Sequence, residues 1–342
     1  MITLLATIFV FGLLVSVHEF GHFAVAKLSG MKVTEFAIGF GPGLYKKKRG
    51  ETLYSLRAIP LGGYNKISGM DPDDLEDQRN FNNQPLFKRL AVIIAGSMMN
   101  LLLPVLIFFF IIVFTGVQNP IDKPIFGGIV EDRPAAIAGL KVNDVVLQVN
   151  GKKVETWSQL VDEIKLRSNQ PTDLLVEREG KQQTFTVTPQ FDERSQRGVI
   201  GVNASFELTR PGVFDSFKLA VVHTYNIAKD MLKGIYVLIF SSQEADIAGP
   251  LGVAQMAGKV AQYGFVPLLN FAAFLSINLG LINLLPVPVL DGGHVVMLLI
   301  EGIRGKAVKP EFLYKLQMIG LALLAMLLIF STTKDIMRFG LL

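Results

Sequence analysis

The sequence predicts a polytopic α-helical membrane protein with about four transmembrane helices and one inserted α/β module. Half of its 342 residues are hydrophobic and only 18% are charged, with a mean hydropathy of +0.43, the balance of a chain that buries much of itself in lipid. Long apolar runs recur at residues 2–27, 90–117, 265–303 and 312–330. Between the second and third runs, residues 119–210 switch to short alternating segments and turn dipeptides, the pattern of a soluble domain.

The first run is long enough to cross a hydrocarbon core of about 30 Å at about 1.5 Å per helical residue. Ala24-Val25-Ala26 has the small-residue form of a signal cleavage site, but no basic residue precedes the run and the run itself carries His18, Glu19 and His22, so a retained span is expected. A polar stretch follows at 29–89, in which 53–56 and 62–67 read as short strands and Lys46-Lys47-Lys48-Arg49 as a solvated loop beside anionic headgroups. The second run, with Leu101-Leu102-Leu103 and Phe108-Phe109-Phe110, is a span.

In the module, 126–130 and 144–149 read as strands, the latter closed by the turn dipeptide Asn150-Gly151. Residues 134–140 and 158–167 read as helices, the second amphipathic, and 174–177 and 184–188 as strands joined through Glu179-Gly180-Lys181. Residues 214–240 have helical period but mixed polarity, interrupted by His223, Lys229 and Lys233, which suits a helix lying at the interface. The third apolar run is broken by Asn278, Asn283, Pro286, Pro288, Asp291, Gly292 and Gly293. Non-helical backbone survives at membrane depth only against protein or a water-filled cavity, so this run belongs beside the site. Residues 312–330 form a last span. The expected division is 1–118, 119–210, 211–264 and 265–342.

Basic residues cluster between the first two spans (Lys27, Lys32, Lys46 to Arg49, Lys88, Arg89) and between the last two (Arg304, Lys306, Lys309, Lys315), which marks both loops as cytoplasmic. Four spans then place both termini and the module on the extracytoplasmic side. The net charge of +4 is modest and supports no nucleic-acid binding, and nothing in the sequence specifies an oligomeric state.

The function is carried by His18-Glu19-Phe20-Gly21-His22. Residues four apart share a helix face, so His18 and His22 can direct two imidazole nitrogens at one metal ion with Glu19 beside them. Ionisable groups at membrane depth cost about 3 kcal/mol each even on the lenient insertion scale, so such a cluster reads as functional. The chain has no cysteine and four histidines, which leaves imidazole and carboxylate as metal ligands and points to Zn2+ held by two histidines and a carboxylate. Asp291 is the preferred third ligand, because it sits in the broken apolar run without an evident counter-charge, and His294, three residues further on, is the alternative. Glu19 is placed to act as general base on the attacking water and to carry the proton to the leaving amine. Asn283 or Asn278 could hold the substrate backbone, with interhelical bonding the better reading of Asn278. A transmembrane substrate helix has to be extended before cleavage, and the strands at 53–56 and 62–67 are candidates for an edge that does so. A membrane-anchored adaptor with a structural site, or a metal or proton transporter using the same His/Glu/Asp cluster, are the competing classes.

These residues together resemble the site-two protease family of intramembrane zinc peptidases, in particular the bacterial regulator-of-sigma-E type. The likeness rests on the His18 to His22 motif, the Asn283-Leu284-Leu285-Pro286-Val287-Pro288-Val289-Leu290-Asp291-Gly292-Gly293 segment and the module between them, in that order over essentially the whole chain. It implies zinc bound by His18, His22 and Asp291, Glu19 as catalytic acid/base, and substrate contact at Asn283. It implies a cytoplasmic membrane-associated β-loop at 62–70, presenting Gly62, Gly63 and Tyr64, and an extracytoplasmic PDZ domain whose peptide groove Gly127 and Gly128 border. The substrates implied are single-span membrane proteins of the anti-sigma-factor type and remnant signal peptides, in the bacterial inner membrane. Two departures stand out. Gly96-Ser97-Met98-Met99-Asn100 has Ser where many members have Pro, and a single PDZ module fits where well-studied relatives carry two.

Overall fold

The computed structural model describes residues 1–70, 77–193, 195–240, 249–306, 308 and 310–338. Lys309 of the basic cluster and residues 241–248 of the interfacial segment lie outside them. The chain divides into two compact units, Met1–Ile112 with Val213–Leu342, and Val113–Gly212.

In the first unit, helix α1 (Ile2–Leu28) is followed by two long strands, β1 (Val33–Arg49) and β2 (Thr52–Ile67), and by α2 (Leu86–Thr115). The expected short strands at 53–56 and 62–67 are parts of one continuous strand. Lys46 to Arg49 are not loop, as expected, but the exposed end of β1, because 45–49 run antiparallel to 52–56 across the turn at Gly50. Residues 35–38 pair on both flanks, with 53–56 and with 63–66. The ribbon therefore lies in the order 45–49, 52–56, 35–38, 63–66, with the basic run on one edge and 63–66 on the other.

Helix α2 starts four residues before the expected span and ends at Thr115, where Gly116 takes φ +77° and terminates it. Pro104 lies inside it and has no N–H, so the carbonyl of Asn100 loses its helical donor. The Ser276 hydroxyl donates to that carbonyl at 2.7 Å. In lipid such repair has to come from a neighbouring helix, and here it joins α2 to the third span.

After α5 (Val213–Phe240) and α6 (Pro250–Gln262), the third apolar run is not one helix. It forms α7 (Phe265–Asn283) and α8 (Asp291–Arg304), separated by Leu284 to Leu290, and α9 (Pro310–Arg338) closes the unit. Buried Ala272, Ala273, Ser276 and Gly280 keep one face of α7 small, which allows close helix packing. Helix α6 lies within the expected 211–264 segment, beyond the helical period read at 214–240; its first N–H groups are taken by the buried Asp335 carboxylate of α9, from Gly249 at 3.0 Å and Gly252 at 2.8 Å. Among the described residues, four helices are long and apolar enough to cross a membrane: α1, α2, α7 and α9.

The second unit holds β3 (Val117–Pro120), β4 (Phe126–Ile129), α3 (Pro134–Ile137), β5 (Val145–Val149), β6 (Lys152–Lys153), α4 (Trp157–Lys165), β7 (Thr172–Arg178), β8 (Lys181–Val187), β9 (Gln190–Asp192), β10 (Arg197–Val199), β11 (Val202–Ala204) and β12 (Phe206–Thr209). A sheet in the order β6-β5-β7-β8 and three antiparallel pairs, β3 with β12, β4 with β11 and β9 with β10, make its framework. Alternate residues of β7, Thr172, Leu174 and Val176, point into a core with Phe126, Val146, Leu160 and Val187. Thr156 caps α4 by accepting the Gln159 N–H at 3.2 Å.

Candidate metal centre

Four segments of the first unit converge on one point. Helix α1 turns His18 and His22 to the same side, and their Nε2 atoms face each other at 3.1 Å. Asp291, the first residue of α8, presents Oδ2 at 3.5 Å from His18 Nε2 and Oδ1 at 3.6 Å from His22 Nε2. The side chains are largely buried, 12% exposed at His18, 13% at His22 and 17% at Asp291. Among the described residues these three form the group able to hold a metal ion; His294 is not part of it.

The separations suit zinc. Ligands at about 2.0–2.1 Å around a tetrahedral ion lie about 3.3 Å from one another, close to the distances between these donors. Two neutral imidazoles and a carboxylate are also a donor set of catalytic zinc sites, which keep a further position open. The remaining imidazole nitrogens face helix α2. His22 Nδ1 donates to the Val92 carbonyl at 2.7 Å, which leaves the Nε2 lone pair toward the shared point. His18 Nδ1 lies 3.2 Å from the Asn100 amide, and the Ser97 hydroxyl donates to Asp291 Oδ2 at 2.9 Å. Gly96 makes room for this face: a Cβ there would fall 2.3 Å from His22 Nε2 and 2.8 Å from His18 Cε1.

Asp291 owes its place to a tight connection. Val289 adopts φ +85°, a costly conformation for a β-branched residue, and the N–H of Val287 turns back to the carbonyl of Leu285 at 2.7 Å. The start of α8 then packs directly on this segment. A Cβ on Gly292 would lie 2.2 Å from the Leu285 carbonyl oxygen and 2.3 Å from that of Leu284, so only glycine fits.

Glu19 sits beside the cluster with its own holder on β2. The Asn65 amide donates to Glu19 Oε2 at 2.7 Å and to the Glu19 backbone carbonyl at 2.6 Å. Gly63, two residues earlier on the same strand face, approaches the Glu19 side chain so closely that a Cβ would lie 3.2 Å from Cγ. Tyr64 points the other way, its hydroxyl against Arg57 and its ring 5.0 Å beneath that guanidinium. There burial raises the Glu35 carboxyl, and the bonds from Arg57, Ser55 and Tyr64 more than reverse this, holding it below the usual carboxylate range. The Gly62 backbone turns at φ +135° over the Phe40 ring.

The other expected residues lie elsewhere. Asn283 ends α7, eight positions before Asp291, and neither its side chain nor that of Asn278 makes a hydrogen bond to a described residue; the interhelical bond of α7 is made by Ser276. Gly127 and Gly128 belong to the second unit, where β4 pairs with β11 and a Cβ on Gly127 would strike the Ala204 carbonyl at 2.3 Å. A cavity of about 230 Å³ in that unit is lined by Val130, Trp157, Val161, Ile164, Val199 and Ile200 among others. Val92, Ser97, Asn100 and Asn65 were missed in the sequence. Ser97 and Asn100 carried one usable signal, being polar inside an apolar span on the face of a glycine.

Two histidines and an aspartate converging beside a glutamate, on helices built for lipid, define a membrane-embedded metal-dependent hydrolase. The chain belongs to peptidase family M50, whose model matches residues 6–327. A Clostridium acetobutylicum protein is 36% identical over 330 residues, covering 96% of both chains. Zinc metalloprotease RasP of Geobacillus kaustophilus is 31% identical and the regulator of sigma-W protease RasP of Bacillus subtilis 30% identical, each alignment covering 98% of this chain and 98% of the relative. Among solved structures, the PDZ domain of an SdrC-like protein of Listeria monocytogenes is similar at 18% identity and a TM-score of 0.22, covering 26% of this chain and 93% of its own. The protein is a zinc metalloprotease of the membrane.

Proposed function

We propose that this chain is an intramembrane endopeptidase that cuts single-span membrane proteins within their transmembrane segments, with His18, His22 and Asp291 holding the zinc and Glu19 moving the proton. The observation that carries this reading is the convergence of the two Nε2 atoms and the Asp291 carboxylate beside a glutamate that is held in place by Asn65. When bound, zinc supplies the Lewis acidity that makes water a nucleophile at neutral pH. Glu19 takes the proton released as water adds to the peptide carbonyl and returns it to the leaving nitrogen, so that one water is consumed per bond cut. Asn283, on the segment leading to Asp291, holds the substrate backbone.

Substrate reaches the site extended along the 63–66 edge of the ribbon. The order of the ribbon supports that choice, since the opposite edge carries Lys46-Lys47-Lys48-Arg49, whose charge discourages strand addition. The bacterial inner membrane is the location, with the basic loops cytoplasmic and the second unit an extracytoplasmic PDZ domain. A relative named for regulating sigma-W supports anti-sigma factors as the substrate class, and remnant signal peptides share their single-span form.

The test is cleavage of a reporter span in reconstituted vesicles, with zinc measured on the same protein. Glu19→Gln is expected to keep zinc and lose cleavage, and Asp291→Ala to lose both. Cleavage by Glu19→Gln at the parent rate would overturn the role of Glu19, absence of cleavage by the zinc-loaded parent would favour an adaptor, and metal flux without peptide a transporter.

A further inference from the structure

Helix α2 touches all three proposed ligands, and through different groups. The Val92 carbonyl takes His22 Nδ1, the Ser97 hydroxyl donates to Asp291 Oδ2, and the Asn100 amide meets His18 Nδ1. Positions 92, 96 and 100 stand at helical intervals on one face, with 97 beside them. All four residues are buried, Ser97, Asn100 and Val92 completely.

The Asn100 contact has a direction problem that points to its role. An imidazole that ligates a metal through Nε2 carries its proton on Nδ1 and needs an acceptor there. As the amide lies, its nitrogen faces Nδ1 while its oxygen, fully buried, has no partner. Leaving a buried carbonyl oxygen unpaired is costly, and carbonyl and amino ends of the group are interchangeable in shape. The Gly96 carbonyl also takes a hydrogen bond from the His18 ring, and with the Asn100 amide turned about its last bond its oxygen is a second acceptor, facing Nδ1. Both Nε2 lone pairs then face Asp291. The Ser97 hydroxyl completes the pattern by fixing the carboxylate.

We infer that Ser97 and Asn100 are positioning residues of the zinc site, Asn100 by accepting the His18 Nδ1–H and Ser97 by holding Asp291. This rests on the ligand assignment proposed above. It also gives Ser97, the departure from the family's usual proline, a specific task.

The experiment is zinc affinity of the full chain in detergent, measured by chelator competition, with the Co2+ absorption spectrum as a second readout. Asn100→Leu and Ser97→Ala are each expected to weaken zinc binding 10- to 100-fold. Asn100→Asp, which keeps an acceptor for Nδ1–H, is expected to bind within a few-fold of the parent and to keep its Co2+ spectrum. A purely structural role for Asn100 would not separate leucine from aspartate. Binding within twofold of the parent by Asn100→Leu or Ser97→Ala overturns the inference, as does Asn100→Asp binding as weakly as Asn100→Leu. Should Asn100→Leu not fold, Ser97→Ala and Asn100→Asp decide. His22→Ala is the control for the underlying reading: if it retains tight zinc, the ligand assignment fails and not this inference alone.

Discussion

Asn65 holds Glu19 twice, by its carboxylate at 2.7 Å and by its backbone carbonyl at 2.6 Å. One residue of strand β2 thereby sets both the side chain and the local backbone of the proposed acid/base. A hydrogen bond to a charged group contributes about 1.5–3 kcal/mol, and about 1.4 kcal/mol is a factor of ten in rate. Asn65→Ala is accordingly expected to lower single-turnover cleavage about tenfold or more, while zinc content stays that of the parent. Loss of zinc in this variant would mean that Asn65 supports the ligands and not Glu19.

Gly96 is expected to be intolerant of the smallest possible addition. The Cβ of Gly96→Ala would meet His22 Nε2 at 2.3 Å and His18 Cε1 at 2.8 Å. Those ring atoms are held by Val92 and Asn100 and have no slack to give. Metal analysis should find well under one zinc per chain in the purified variant, with helix content by circular dichroism unchanged.

How much of this was legible beforehand depends on the distance between partners in the chain. His18 and His22 declare themselves, because their four-residue spacing is a local property of a helix. The apolar runs do so too, and the broken third run announces a site through its prolines, glycines and Asp291. The Ser97 bond to Asp291 joins positions 194 apart, and Asn65 reaches Glu19 across 46. No periodicity encodes such pairs. The ribbon was half legible, since alternation marks 53–56 and 62–67, while the lysine run reads as loop because its charge hides its pairing with 52–56.

In the second unit, Asp144 is buried and takes two bonds from Arg178, both at 2.7 Å. Burial raises the Asp144 carboxyl, but the Arg178 guanidinium and the Lys141 N–H outweigh it and hold the group below the usual aspartate range. A carboxyl with a depressed folded value contributes stability that is complete above the unfolded value of about 3.9 and is lost as pH falls through the folded one. Trp157, the single tryptophan, packs against this unit's core and reports on it within the full chain. Its fluorescence-detected melting temperature should be flat above pH 5 and fall below pH 4. Arg178→Met leaves the carboxylate buried without its guanidinium and with only the Lys141 N–H on it, with an expected loss of about 3 kcal/mol at neutral pH. An unchanged melting temperature would remove the pair from the account.

Two glycines of α8 make opposite predictions on the same helix. Gly292→Ala would drive its Cβ to 2.2 Å from the Leu285 carbonyl and 2.3 Å from that of Leu284, backbone atoms that cannot move without moving the whole connection from α7. The helix start has to back away, and Asp291, one residue earlier, goes with it. Zinc should therefore be lost from Gly292→Ala as fully as from Asp291→Ala, although every proposed ligand is still present. At Gly302 the added Cβ meets only Leu86 Cδ2, at 2.6 Å, the far end of a flexible side chain that can rotate aside. Gly302→Ala should then keep zinc and cleavage near parental levels. Metal content and reporter cleavage on the two variants separate the consequences of a displaced ligand from those of a bulkier helix, and equal behaviour of the two would show that the packing at Gly292 does not place Asp291.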